Sequence, residues 1–140
     1  MYPQIHPGLT GEVEAIVETE DTALHLGSGS VAVLATPHMI RLMETAAVRA
    51  VDPLLPNGHC TVGTHVDVSH LAATPVGSTV RASAKLIAVD GRKLTFEVSA
   101  VDEREVVGQG LHERMIVDIA RFRQRADSKL AASQPGKDAT

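Results

Sequence analysis

Apolar and polar positions alternate along most of this chain, and in one stretch they change to the three- and four-residue step of a helix. In residues 11–17, Val13, Ala15 and Val17 stand against Glu12, Glu14 and the following Glu18, the period-two pattern of a half-buried strand. Gly27-Ser28-Gly29-Ser30 then imposes little side-chain constraint, so a flexible loop or lid is expected there. A helix is predicted over residues 37–51. The Thr36 hydroxyl suits an N-cap, and Pro37 lacks its N–H where a first turn does not need one. Met39, Met43, Ala46, Ala47 and Ala50 make one apolar face from which Arg41 and Arg49 fall away. Asp52-Pro53 ends the helix, because a residue before proline disfavours helical dihedrals.

Beyond Pro56-Asn57-Gly58 the alternation predicts strands over residues 60–71, 79–89, 93–101 and 106–120. Asp90-Gly91 marks a tight hairpin, and Pro75-Val76-Gly77 and residues 102–105 mark the other reversals. The expected architecture is α+β, a five-stranded antiparallel sheet running as a meander and wrapped around one central helix. A chain of 140 residues suits one such domain, placed at residues 1–122. Residues 123–140 turn to Arg, Gln, Ser, Lys, Pro and Gly, which bury too little apolar surface to offset ordering, so a flexible polar tail is expected. An open sheet edge is commonly hidden by a second copy, so a homodimer with a continuous, ten-stranded sheet is expected.

Composition narrows the function. With one Tyr, two Phe and no Trp, platforms for stacking bases are nearly absent, and a formal charge of −4 provides no basic field for a phosphate backbone. Nucleic acid is not an expected partner. The single Cys60 forms neither an intramolecular disulfide nor a metal knuckle, which fits a reducing cytoplasm. The longest apolar block, residues 31–35, is far too short for a bilayer, and no membrane association is expected.

His70 closes the alternating face that begins with Val62, Thr64, Val66 and Val68, so its ring is expected on the core side and that of His65 on the other. Such a ring is either a structural histidine on a backbone carbonyl or an acid–base group. Glu44 stands among Leu42, Met43, Thr45, Ala46 and Ala47, where a carboxylate is out of character. It is either a flank residue eased by Arg41 or Arg49, or an acid in an apolar pocket suited to proton transfer or attack. Thr36 caps the helix and could also serve a site there, since free N–H groups at a helix start suit a developing oxyanion. Gly63 leaves room for a ligand or for close backbone approach. Gly27-x-Gly29-x-x-Ala32 has the wrong context for a dinucleotide loop, lacking the parallel βαβ unit. The seven histidines show no ligand spacing, so no metal is expected.

The run Ala35-Thr36-Pro37 through Met43-Glu44-Thr45-Ala46, then Val62-Gly63-Thr64, residues 68–75 and Gly108-Gln109-Gly110-Leu111-His112-Glu113-Arg114, resembles the fluoroacetyl-CoA thioesterase-like family of hotdog-fold proteins. The similarity runs from about Gly8 to Ala120. It implies hydrolysis of a short or small acyl-CoA in a dimer, with sites near the subunit interface and no cofactor beyond the CoA of the substrate. It also implies a catalytic set of Thr36, Glu44 and His70, with Gly63 and Arg114 assisting substrate binding. Arg114 would then meet CoA phosphate or carboxylate charge, whereas local pattern alone makes it a surface ion pair with Glu113 and Asp118. Family members selective for fluoroacetyl groups carry an aromatic lid before the helix. Residues 27–32 contain no aromatic, so a different or broader substrate is expected. The competing functions are a non-hydrolytic acyl-CoA sensor and a hotdog hydratase.

Overall fold

The computed structural model describes the backbone of residues 2–139 and the side chains of residues 2–130. Five strands are formed: β1 (Thr10–Ile16), β2 (His59–His70), β3 (Thr79–Asp90), β4 (Lys93–Val101) and β5 (Val106–Asp118). Three helices join them: α1 (Ala23–Leu26), α2 (Thr36–Val51) and α3 (Ile119–Ala139). Every strand pairing is antiparallel, as predicted, but the order across the sheet is β1-β3-β4-β5-β2. Only β3, β4 and β5 form a meander.

The departure lies in residues 71–78. Leu71 N–H (2.6 Å) and Ala72 N–H (3.3 Å) donate to the Val107 carbonyl and keep the end of β2 on β5. Leu34 N–H then donates to the Thr74 carbonyl at 2.8 Å, and Val33 bridges Pro75. The segment therefore crosses the start of α2 and enters β3 on the far side of the sheet. The Pro75-Val76-Gly77 bend completes this crossing and is not a hairpin turn. Alternation specifies which face a residue takes and carries no information about which strand lies beside it.

α2 buries Met39, Leu42, Met43, Ala46, Ala47, Ala50 and Val51, while Arg41 and Arg49 remain exposed, as its pattern predicts. The facing sheet contributes Val80, Ala82, Ala84, Leu86, Leu94, Phe96, Val98 and Ala100. Phe96 is fully buried, and its removal from water contributes about 1.5–3 kcal/mol. Gly11 brings β1 onto the helix backbone, for a Cβ there would overlap the Ala46 carbonyl oxygen and approach Ala50 N to 2.6 Å.

One local expectation is corrected. Thr36 is the first residue of α2, not its cap; Ala35 occupies the cap, with no side-chain bond. Residues 119–139 form α3. Asp118 Oδ1 accepts the Arg121 N–H at 3.1 Å and starts that helix, and its residues through Leu130 stay exposed because no apolar stripe docks them. Among the described residues no helix is long and apolar enough to cross a membrane.

Gly11→Ala is expected to force β1 off α2 and cost about 1–3 kcal/mol as an overpacked contact. Thermal unfolding checks this, and an unchanged Tm contradicts it.

Candidate active site

α2 and β2 run in opposite directions, so their residues meet in pairs: Thr36 with His70, Glu44 with Gly63, and Asp52 with Thr61. The first pair is a direct bond, Thr36 Oγ1 to His70 Nδ1 at 2.7 Å. Because Thr36 is not a cap, its hydroxyl is available to the ring. Among the described residues, His70 Nε2 is buried without a hydrogen-bond partner. Burial, opposed by the backbone at Ala72, holds the His70 pKa below the ordinary imidazole value. Beside this pair lies a cavity of about 350 Å³, lined also by Ala23, Ser28, Val33, Leu34, Ala72 and Ala73. Its walls are small or apolar, and residues 27–32 above it are exposed and lack an aromatic.

β2 reaches this arrangement by a route that alternation alone does not show. Its register against β5 shifts between Gly63 and His65, so Thr64 is an extra residue and the inward face changes parity there. Thr61 and Gly63 are inward before the bulge, and Val68 and His70 after it. The single face expected for Val62, Thr64, Val66, Val68 and His70 is thus broken, although His70 ends on the core side.

Glu44 is not in an apolar pocket. Its side chain is 42% exposed, and its Oε2 lies 3.5 Å from Arg114 Nη1, with neither Arg41 nor Arg49 as partner. A Cβ on Gly63 would stand 2.6 Å from that same oxygen, so the missing side chain is what admits the carboxylate.

Arg114 differs most from its surface reading: it is 6% exposed, and no ion pair joins it to Glu113 or Asp118 among the described residues. Its Nε donates to Thr61 Oγ1 at 2.8 Å, Nη2 to the Thr61 carbonyl at 2.9 Å, and Nη1 meets His112 Nε2 at 3.1 Å. Burial works against the guanidinium, and the charges of Asp52 and Glu44 work for it. Facing inward and so engaged, it is not disposed to meet CoA phosphates.

His112, Thr61 and Asp52 were not singled out from the sequence. Period two supplied a signal, since His112, Arg114 and Ile116 share a face that Ile116 marks as inward. The His112 tautomer follows from its neighbours: Nδ1 donates to the His65 carbonyl at 2.8 Å, and Nε2 accepts from Arg114, which can only donate. Burial and, secondarily, the Arg114 charge hold the His112 pKa low against the opposing pull of the His65 carbonyl and Glu44. Burial, with the Asp52 charge, raises the Cys60 pKa, so the thiol stays protonated and is a poor nucleophile.

Within one chain two groups result, Thr36 with His70 and Glu44 with Gly63, Arg114 and His112. No hydrogen bond or ion pair among the described residues joins them, and eight residues of helix between Thr36 and Glu44 span about 12 Å. A larger concavity of about 650 Å³ lies over Glu12, Lys85, Glu97 and Gln109, away from all of these residues.

A curled antiparallel sheet around one long helix, with a hydroxyl–imidazole pair at the helix start and a carboxylate farther along, has the build of a hotdog-fold thioesterase. A hotdog-like protein from Thermanaerovibrio acidaminovorans, 24% identical, shares this fold with a TM-score of 0.83 over 91% of this chain and 94% of that one. Residues 17–120 match the fluoroacetyl-CoA-specific thioesterase family, FlK, and the chain belongs to that family of thioester hydrolases. A fluoroacetyl-CoA thioesterase of Streptantibioticus cattleyicolor is 43% identical over 100 residues, which cover 71% of this chain and 72% of that protein. A solved structure of FlK superposes with a TM-score of 0.83 at 36% identity, covering 89% of this chain and 97% of that one. A Thermus thermophilus thioesterase-superfamily member gives 0.82 at 27% identity, over 91% and 97% of the two chains.

Gly63→Ala is expected to push the Glu44 carboxylate aside and lower kcat about tenfold or more, with some loss of Tm because its Cβ also stands 3.3 Å from the buried Arg114 and His112. Full activity in this variant, measured by thiol release, contradicts the placement. His70 and His112 both take up protons less readily folded than unfolded. The unfolded chain therefore binds more protons as pH falls through about 6.5, and stability is lost from there downward. Tm is expected to be lower at pH 5.5 than at pH 7.5, and a flat profile contradicts the assignment.

Proposed function

We propose that this protein hydrolyses short-chain acyl-CoA thioesters to the free acid and CoA, at sites made jointly by two chains. The observation that carries the proposal is the 2.7 Å Thr36–His70 pair beside a small-walled cavity, with a carboxylate held two turns along the same helix. A relative's structure holding fluoroacetate and CoA together supports a CoA-linked substrate.

β2 is an edge strand, and residues 63–67 and 69 are exposed. An unpaired edge of this length is a template for a second strand. In a two-fold antiparallel pairing of β2 with its copy, a register that sets Gly63 opposite His70 of the partner subunit, with Thr64 left out as the bulge, places the axis at Asp67. Opposed residues share a face, so each Glu44, beside its own Gly63, comes next to the His70 and Thr36 of the other chain. The separation of about 12 Å within one chain is thereby bridged by symmetry. The sheet becomes continuous across ten strands.

In that site the first N–H groups of α2 and its positive end stabilise the thioester oxygen as it gains charge. Glu44 attacks the carbonyl carbon, giving a mixed anhydride that water opens, or takes a proton from the attacking water; both routes yield acid and CoA. The His70 Nε2 position delivers a proton to the departing thiolate, and Thr36 holds the ring through Nδ1. With no aromatic in residues 27–32, the cavity selects acyl size loosely and takes a broad range of small acyl groups.

Glu44→Ala and His70→Ala are each expected to abolish thiol release from a panel of short acyl-CoAs. Mixed and allowed to exchange subunits, the two inactive variants restore one complete site per heterodimer, about a quarter of the wild-type activity. No recovery in a mixture shown to contain heterodimers sinks the shared site. Wild-type turnover in either variant sinks the catalytic assignment.

A further inference from the structure

We propose that Asp52, Thr61 and His112 are positioning residues for the thioesterase reaction, forming a rigid frame that fixes the Arg114 guanidinium against the Glu44 carboxylate. The inference rests on Glu44 acting on the thioester as described above.

The frame is built of bonds whose direction is determined. Asp52 stands just past the end of α2, and its carboxylate can only accept. Oδ1 takes the Thr61 hydroxyl proton at 2.6 Å, and Oδ2 takes the Thr61 N–H at 3.2 Å. With its proton committed, the hydroxyl oxygen can only accept from Arg114 Nε, at 2.8 Å. The Thr61 carbonyl holds Nη2 at 2.9 Å, so one residue grips two nitrogens of the planar cation. On the other side, His112 is locked by the His65 carbonyl and presents its lone pair to Nη1 at 3.1 Å. With the cation held on both sides, its remaining hydrogen bond among the described residues, at 3.5 Å from Nη1, is to Glu44 Oε2.

Thr61, His112 and Arg114 are 5%, 1% and 6% exposed, whereas the Glu44 side chain is 42% exposed. The carboxylate that must act is the mobile member, and the buried frame sets where it rests. A surface ion pair would leave both partners loose and contribute little. Here the cation cannot follow the carboxylate, so Glu44 is drawn to one place above Gly63. The three framing side chains lie behind Arg114 and need not touch substrate.

The test compares Thr61→Val, which keeps side-chain volume but removes the hydroxyl, with Thr61→Ser, which restores it. Thr61→Val is expected to lower kcat about ten- to a hundredfold with KM changed less than threefold, and Thr61→Ser to recover most of the loss. A merely structural role would lower Tm and leave the kcat of the folded fraction alone. Wild-type kcat in folded Thr61→Val therefore overturns the frame. If Thr61→Val does not fold, Asp52→Ala decides: the same fall in kcat, partly recovered by Asp52→Asn, supports the frame, and wild-type kcat overturns it. Glu44→Ala, run alongside, separates the two proposals. If it is inactive while the frame variants keep full turnover, only the frame fails; if it is fully active, the reading of the site fails first.

Discussion

A guanidinium taken out of water must have its charge and its N–H groups met inside the protein, and the inner side of β5 is organised around that demand from Arg114. Leaving a buried charge without its partners costs about 3–5 kcal/mol, more than a cap or a surface pair contributes. Thr61, His112 and Glu44 answer it directly, and Asp52 answers it through Thr61. Satisfying this cation ties the end of α2, the middle of α2, β2 and β5 into one polar cluster beside an otherwise apolar core.

The opposed directions of α2 and β2 turn that demand into a layout. Because one runs against the other, a polar residue at each of three levels of the helix finds a partner on the strand. The bulge at Thr64 is essential to this, since it lets both Gly63 and His70 face the helix although they stand seven positions, an odd step, apart. Gly63 supplies a gap at the level where a side chain would displace the carboxylate. In the dimer we propose, a two-fold neighbour brings together the two polar groups that stand about 12 Å apart on one helix.

Much of this was legible in the chain. The period-two strands, the helix with its apolar face, the hairpin at Asp90-Gly91 and the out-of-place Glu44 are all local properties, and local sterics and burial decide them. His70 lies on the core side, as alternation predicts, although the bulge at Thr64 changes which residues share its face. Thr before Pro is a common helix start, which makes Thr36 a cap by local pattern; in the folded protein the residue before it serves, and the hydroxyl turns to His70. By its acidic neighbours Glu113 and Asp118, Arg114 reads as a surface residue, yet Glu113 points to the opposite face of the strand and Asp118 stands four positions away along it.

By itself the sequence determined the five strands, α2 and the face it buries, and the family resemblance, since periodicity, turn chemistry and residue order are written along the chain. The tertiary structure alone decided that β2 lies beside β5, that Arg114 is buried, and that Asp52 and His112 meet at it through Thr61. Those contacts join residues that stand far apart in sequence, and their energies depend on burial and distance, which a one-dimensional pattern does not encode.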